Sequence, residues 1–443
     1  MMNRRTALFG LGATMFGAAG AGAATPSRAA AYRRIAAEAD ANLRRHDVTR
    51  WFPRAIDAER GGYHQNYAED WSFVARADRA AVYQARLTWL SAQAVSRYPS
   101  EANIWTERSN HGLAYLNDHI WDATHGGFYW GLEEAAPHAA ERKGEKHLYG
   151  HAFCTYAAAA NYQHTRNPAA LDLARRAFEW MDKHAHDPVH GGYVESVDRL
   201  GQPFAVAAAA DGTPARDALN TPIGQKSMNT HIHILEALTG LYEVWPDPLL
   251  RTRLEEVFLI VRDKVATRPG HLHLYFQRDW TPVPRAISFG HDVETGFLLV
   301  EASTILGRPD DARTWEVARM LVDTPLANGW DEANGGFYDE SDLDGKLTRT
   351  DKIWWVQAEG LNALLLMHEK FGRETPKYWD AFTRQWAFIQ QHQVDHRHGG
   401  WYSRVAPSGS AQPGLVKSNR WTEGYHQGRA LMRVSDRLRK LVV

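Results

Sequence analysis

The sequence predicts an all-α fold, an (α/α)6 barrel made of six helical hairpins in a toroid, with short β-hairpin turns at recurring Gly-Gly-aromatic motifs. Three observations carry this. The motif recurs at Gly61-Gly62-Tyr63, Gly126-Gly127-Phe128, Gly191-Gly192-Tyr193, Gly335-Gly336-Phe337 and Gly399-Gly400-Trp401, with first glycines 65, 65, 144 and 64 residues apart. The long interval holds a degenerate copy, Pro269-Gly270-His271-Leu272-His273-Leu274-Tyr275, so there are six units of about 65 residues. Between the turns run segments with helical apolar spacing, and each unit has room for two helices of about 15 residues. Six units that run almost to the C-terminus favour a closed double ring over an open solenoid.

The elements follow in chain order. Asn3-Arg4-Arg5-Thr6 precedes an uncharged run from Thr6 to Pro26, and Ala21-Gly22-Ala23 has the A-x-A form of a cleavage site. The arginine pair resembles an export signal for proteins that cross a membrane already folded, so residues 1–30 read as a twin-arginine signal peptide and the protein as periplasmic or secreted. Residues 31–443 read as one catalytic domain. Val82, Leu87, Leu90 and Ala94 form one apolar stripe, and Ile232, Leu235, Leu238 and Leu241 another. Val293, Phe297, Leu298 and Leu299 open a third; Leu361, Leu364, Leu365 and Met367 belong to a fourth. The Gly-Gly turns connect an outgoing helix to the next incoming one, four of them opening with Asp122, Asp187, Asp331 or Asp395. The Ala-rich stretch 205–218 accounts for the insertion in the long interval.

Composition narrows the function. Lys+Arg is 51 against 52 Asp+Glu, so no basic surplus points to nucleic acid. Cys154 is the single cysteine, which rules out an internal disulfide framework or a CxxC site. No apolar run after the signal reaches the 18 residues of a membrane span. The 17 Trp, 17 Tyr, 16 Phe and 22 His suit both a large helical core and a cavity that stacks on sugar rings.

Polar and aromatic groups recur where the incoming helices begin. They are Gln84 and Arg86; Tyr149 and His151; Asn229, His231 and His233; His291 and Glu294; Trp354, Trp355 and Glu359; Trp421, Tyr425 and His426. In a closed ring, equivalent positions on six helices face one cavity, so Arg86, His233, His291 and His426 are expected to converge. His291 and Glu294 stand i, i+3 on one helix face, where a carboxylate can fix the tautomer of the imidazole. Each group also has a structural use: His291 with Glu294 as a satisfied buried pair, His233 or His426 in the core, Arg86 as a packed stem with a paired head, and the tryptophans as core. His231-Ile232-His233 and His271-Leu272-His273 do not read as metal sites, because H-x-H on a helix points its rings to different faces.

Four segments resemble the N-acylglucosamine 2-epimerase superfamily, and especially its cellobiose 2-epimerase branch: Ser227-Met228-Asn229-Thr230-His231-Ile232-His233-Ile234-Leu235-Glu236-Ala237, Ser288-Phe289-Gly290-His291-Asp292-Val293-Glu294, Lys352-Ile353-Trp354-Trp355-Val356-Gln357-Ala358-Glu359, and Trp421 with Gly424-Tyr425-His426. The resemblance spans about residue 31 to the end and implies an (α/α)6 barrel. It implies His291 and His426 as the acid/base pair and Glu294 as the partner that positions His291. His233 and Asn229 would support sugar binding and proton transfer, and Arg86 would hold the oxygen at the reacting end. Trp354 and Trp421 would be ring platforms, and Tyr149 a pocket tyrosine; Trp355 and Glu359 join this substrate-binding set. The chain departs from the branch at Thr295-Gly296-Phe297, where Ala-Ser-Trp is usual, and at Glu423-Gly424-Tyr425-His426-Gln427-Gly428-Arg429, which lacks a Cys-Pro-Tyr-His-Asn pattern.

These residue types suit proton transfer at carbon. A reducing sugar opens to its aldehyde, the C2 hydrogen becomes acidic, and a neutral His removes it to give an enediolate. Arg86 and nearby N–H donors would stabilise the oxyanion. Return of a proton from the opposite face gives the C2 epimer; return to C1 gives a ketose, as a mannose isomerase would. The expected partner is a small carbohydrate, handled without metal or cofactor, since no nucleotide-binding glycine loop is present. The expected assembly is a monomer or homodimer. A glycoside hydrolase using Glu294 and Glu359, or a non-catalytic carbohydrate-binding barrel, are the rival readings.

Overall fold

The structure, a computed structural model, describes residues 27–75, 79–132, 144–206, 212–412 and 414–442. The expected export segment lies outside the described residues as far as residue 26. Ser27 accepts a hydrogen bond from the Ala30 amide and caps a helix that begins at Arg28, three residues ahead of the expected domain boundary at 31.

Twelve helices of twelve residues or more, among the described residues, alternate between two rings. The outer ring is α1 (Arg28–Asn42), α3 (Ala102–Tyr115), α5 (Pro168–Ala185), α7 (Pro248–Ile260), α9 (Ala312–Asn328) and α11 (Lys377–Phe388). The inner ring is α2 (Ala81–Arg97), α4 (Leu148–Thr165), α6 (Met228–Val244), α8 (Phe289–Ile305), α10 (Trp354–Phe371) and α12 (Tyr425–Lys440). Inner helices pack side by side in sequence order, and α12 meets α2. The toroid therefore closes, with α1 as the outer partner of α12.

Composition decides which ring a helix joins. In α5 the buried positions Ala170, Leu173, Ala174, Ala177, Phe178 and Met181 form one stripe, as an outer helix requires. In α4 every residue from Leu148 to Asn161 except Tyr156 is buried, as an element walled on all sides requires. Outer helices start on side-chain caps with proline behind them, Asn167-Pro168 and Asp247-Pro248.

The Gly-Gly turns are short hairpins, as expected. Both glycines of all five pairs have φ between 65° and 88°, a left-handed conformation that side chains resist. The chain then bridges back antiparallel, Ile56 to Tyr63, Trp121 to Phe128, His186 to Tyr193, Trp330 to Phe337 and Val394 to Trp401. The degenerate copy forms the same turn by pairing Ala266–Thr267 with His271–Leu272. Asp57 opens the first turn as the other aspartates do, a fifth instance that the sequence pattern left out; its Oδ1 accepts the amides of Glu59 and Arg60. Buried cations neutralise these aspartates: Lys226 Nζ lies 3.1 Å from Asp187 and also donates to the Gly191 carbonyl.

Two-residue strands just ahead of the inner helices bind each unit to the next. Lys146–His147 pairs with Ser196–Val197, Lys226–Ser227 with Tyr275–Phe276, and Lys352–Ile353 with Arg404–Val405. A bridge from Tyr67 to Ser418 joins the first unit to the last. All inner-helix N-termini thus open on the face that carries the hairpins. The expected insertion is non-helical where described, residues 207–211 lying outside; Asp217 fastens it to His147, one residue ahead of α4, at 3.1 Å. Among the described residues no helix is long and apolar enough to cross a membrane.

Candidate active site

The polar helix starts divide into two sets. One set holds the turns. After four of the five glycine pairs the next amide donates to a side chain in the first turns of the following inner helix: Tyr63 to Gln84, Phe128 to His151, Tyr193 to His231, Phe337 to Gln357. Leu272 of the degenerate copy donates to Asp292 in the same way. His151 and His231 are therefore turn clamps. His233, two residues on and roughly 200° round the helix, points elsewhere.

The other set gathers at the barrel axis. Glu236 on α6, Glu294 on α8 and Glu359 on α10 surround the guanidinium of Arg429 on α12, and all four are buried. Arg429 Nη1 donates to Glu236, and Nη2 donates to Glu294 at 2.5 Å and to Glu359 at 2.8 Å. Above this floor stand three histidines. His233 Nδ1 lies 3.0 Å from Glu236, His426 Nδ1 lies 2.6 Å from Glu359, and His291 Nδ1 lies 2.7 Å from Ser288 Oγ. The Trp355 ring sits against both His291 and His426, with centroids 4.7 and 5.7 Å away.

Two expected pairings come out differently. Glu294 does not hydrogen-bond His291: the Arg429 guanidinium, arriving from α12, captures the carboxylate, and Ser288 at the helix start takes the imidazole. Arg86 does not face the cleft alone. Its Nη1 donates to buried Glu423 at 2.8 Å and its Nη2 to the Tyr149 hydroxyl at 3.1 Å, with the group packed over Phe153. Arg86 thus holds Tyr149, whose own O–H proton is left to donate elsewhere.

The remaining expected residues form the walls and rim. Tyr149 stands edge-on to His233, 5.2 Å between centroids. Trp354 lies edge-on to His426, and Trp421, 38% exposed, lies near Tyr149 and Trp130 at the mouth. Asn229 Oδ1 and Trp354 Nε1 are buried without a hydrogen-bond partner among the described residues. Arg429, Glu236 and Glu423 were not expected. Glu236 stands i, i+3 from His233, and Arg429 i, i+3 from His426, a spacing that offers a signal once His291–Glu294 is noticed.

Burial and the shared guanidinium set the charges. Burial alone would raise Glu236, but Arg429 and His233 outweigh it and hold the carboxyl at about 2. Burial pushes Glu359 up, with Glu294 adding to the effect against the pull of Arg429. Burial drives His426 well below the ordinary imidazole range, helped by Arg86 and Arg429, and lowers His291 to about 4 against the pull of Glu294. Near neutral pH, His291 is uncharged and the His426–Glu359 pair is neutral as a unit.

Two groups of possible metal ligands occur among the described residues. In Glu294, Glu359 and His426, a guanidinium already binds both carboxylates. In His147, Glu195 and Asp217 the donors serve the protein itself: His147 Nδ1 accepts the Tyr149 amide, and Glu195 accepts from Ser227 and Thr230. A cavity of about 810 Å³ lies at the opposite mouth of the barrel, lined by Trp89, Tyr156, Glu301 and Arg433. It meets the cleft floor at Glu236 and Arg429.

Known proteins resemble this chain over most of its length. A family model described as N-acylglucosamine 2-epimerase (GlcNAc 2-epimerase) matches residues 61–429. The chain is 30% identical over 380 residues to the cellobiose 2-epimerase of Bacteroides fragilis, covering 86% of this chain and 93% of that one. It is 24% identical over 393 residues to the D-mannose isomerase of Marinomonas mediterranea, covering 85% and 91%. The solved structure of cellobiose 2-epimerase from Spirochaeta thermophila matches with a TM-score of 0.82 at 30% identity, covering 94% of this chain and 100% of that one.

Proposed function

The chain belongs to the N-acylglucosamine 2-epimerase family and is a carbohydrate isomerase, and from that premise we propose that it inverts C2 of a reducing aldose or an aldose-ended disaccharide through an enediolate. The observation that carries this reading is the pair His291 and His426. Both rings touch Trp355, both sites are neutral near pH 7, and both Nδ1 atoms have partners, so each ring has Nε2 left for a substrate. One imidazole removes the C2 proton and the other supplies a proton from the opposite face. The Tyr149 hydroxyl, held by Arg86, donates to the developing oxyanion. Trp354 and Trp421 offer ring faces to the sugar.

The hydrolase reading loses support. Glycoside hydrolysis needs two carboxyls that flank the bond, about 5–9.5 Å apart. Here Glu294 and Glu359 converge on one nitrogen of Arg429 beneath the cleft.

Aldose–ketose interconversion is the second reading, favoured by the likeness to a D-mannose isomerase, and it shares the enediolate. Chromatography of products from cellobiose, glucose and mannose tests the proposal. A C2 epimer as the main product supports it, a ketose selects the second reading, and released monosaccharide from cellobiose would overturn both.

We also infer that residues 1–30 direct twin-arginine export. N-terminal sequencing of the protein recovered outside the cytoplasm tests this: a start between residues 24 and 31 supports it, and an intact residue 1 contradicts it.

A further inference from the structure

We propose that Arg429 is a positioning residue for proton delivery: it stabilises the Glu359 carboxylate that forms when His426 gives its proton to the sugar. This inference rests on the epimerase reading above. Arg429 is buried between the Phe297 and Tyr425 rings, 5.0 and 4.7 Å from their centroids. Its fork divides its work. Nη1 serves Glu236, which Tyr425 also contacts, and Nη2 serves Glu294 and Glu359. Three buried carboxylates against one guanidinium would leave two uncompensated charges, which is costly. The cluster lowers that charge by keeping a proton between Glu359 Oε1 and His426 Nδ1, 2.6 Å apart.

The step balances. The N–H bond at His426 Nε2 breaks and a C–H bond forms at C2. At the same time the Glu359 proton passes to Nδ1, so the ring stays neutral and the carboxyl becomes a carboxylate. That new charge appears on an oxygen already 2.8 Å from Arg429 Nη2. The proton that His291 removed from C2 leaves to solvent, and solvent returns one to the Glu359–His426 pair. The charged and titratable groups facing this unit include Glu236 and His233 from α6, Glu294 and His291 from α8, Tyr149 and Tyr156 from α4, Arg86 from α2, Glu423 just ahead of α12, and Tyr425 with Arg433 from α12.

The test is Arg429→Met and Arg429→Lys, checked for native circular dichroism, then assayed with cellobiose, mannose and glucose in deuterated water. In Arg429→Met, kcat for epimerisation is expected to fall about 100-fold with KM within about threefold, the scale of one lost proton transfer. Starting from the epimer that His291 deprotonates, deuterium enters recovered substrate about tenfold faster than product forms, because abstraction survives and delivery does not. Lysine keeps the charge but not the two-armed fork, so Arg429→Lys shows the same split in smaller measure and serves if the Met variant fails to fold. A folded variant with kcat within threefold of wild type, or with exchange and epimerisation falling in parallel, overturns the inference. Wild-type protein that exchanges no C2 hydrogen with any of these sugars overturns the epimerase reading itself, before any variant is made.

Discussion

His426 Nδ1 lies 2.6 Å from Glu359 Oε1, and the same oxygen accepts a hydrogen bond from Arg429 Nη2 at 2.8 Å. Glu359 is therefore expected to govern what His426 can do, although it stands behind the ring. Glu359→Gln keeps the shape but has no carboxyl proton to exchange. We expect kcat to fall roughly 10- to 100-fold with KM nearly unchanged, the loss typical of a disrupted partner to an active imidazole. Steady-state kinetics with the preferred sugar check this.

The turn clamps predict an acid sensitivity that has nothing to do with catalysis. Burial holds His151 and His231 at about 3, below the ordinary 6.5. The unfolded chain therefore binds more protons than the folded one between those values, and stability is lost as pH falls below 6.5. Gln84 and Gln357 do the same job in other units, so His151→Gln should keep the bond to the Phe128 amide. Urea unfolding should find the variant near wild type at pH 7 and about 2 kcal/mol more resistant, relative to wild type, at pH 5.

Glycine is required at the hairpins for two reasons that can be separated. At Gly192, φ is +71° and an added Cβ would meet Trp280 at 2.6 Å and His231 at 2.9 Å. At Gly345, in the separate turn between the paired strands Glu340–Ser341 and Leu347–Arg349, φ is +84° but nothing among the described residues lies within 4 Å. Gly345→Ala should cost only the left-handed strain, about 1–2 kcal/mol. Gly192→Ala should cost about 2–4 kcal/mol, because overpacking is added. Denaturation midpoints distinguish the two.

Trp421 is the most exposed of the expected site residues, and its ring lies near Trp130 and Tyr149. Removing a rim platform weakens substrate and transition state alike. Trp421→Ala should raise KM about three- to tenfold with kcat little changed, more for a disaccharide than for a monosaccharide.

Much of this was legible in the chain. Even glycine spacing exposed six units because each hairpin needs two adjacent left-handed residues that other side chains resist. The meeting of Arg86, His233 and His426 near the axis follows from their places at inner-helix starts. Long-range partners were not legible. His291 and Glu294 share a helix face, yet the nearest cation for Glu294 comes from α12, 135 positions along the chain. The same histidine type does two jobs within three residues, at His231 and His233, and only helix rotation separates clamp from cleft. Asp57 stands four residues before Gly61, the same spacing as the other four aspartates.

The most direct test of the account is whether solvent deuterium appears at C2. Wild-type protein incubated in deuterated water with cellobiose, glucose and mannose should place one deuteron at C2 of the epimer formed, and His291→Asn and His426→Asn should each abolish epimerisation. Product carrying no deuterium at C2, or hydrogen moved intact within the sugar, would contradict proton abstraction by one imidazole and delivery by the other.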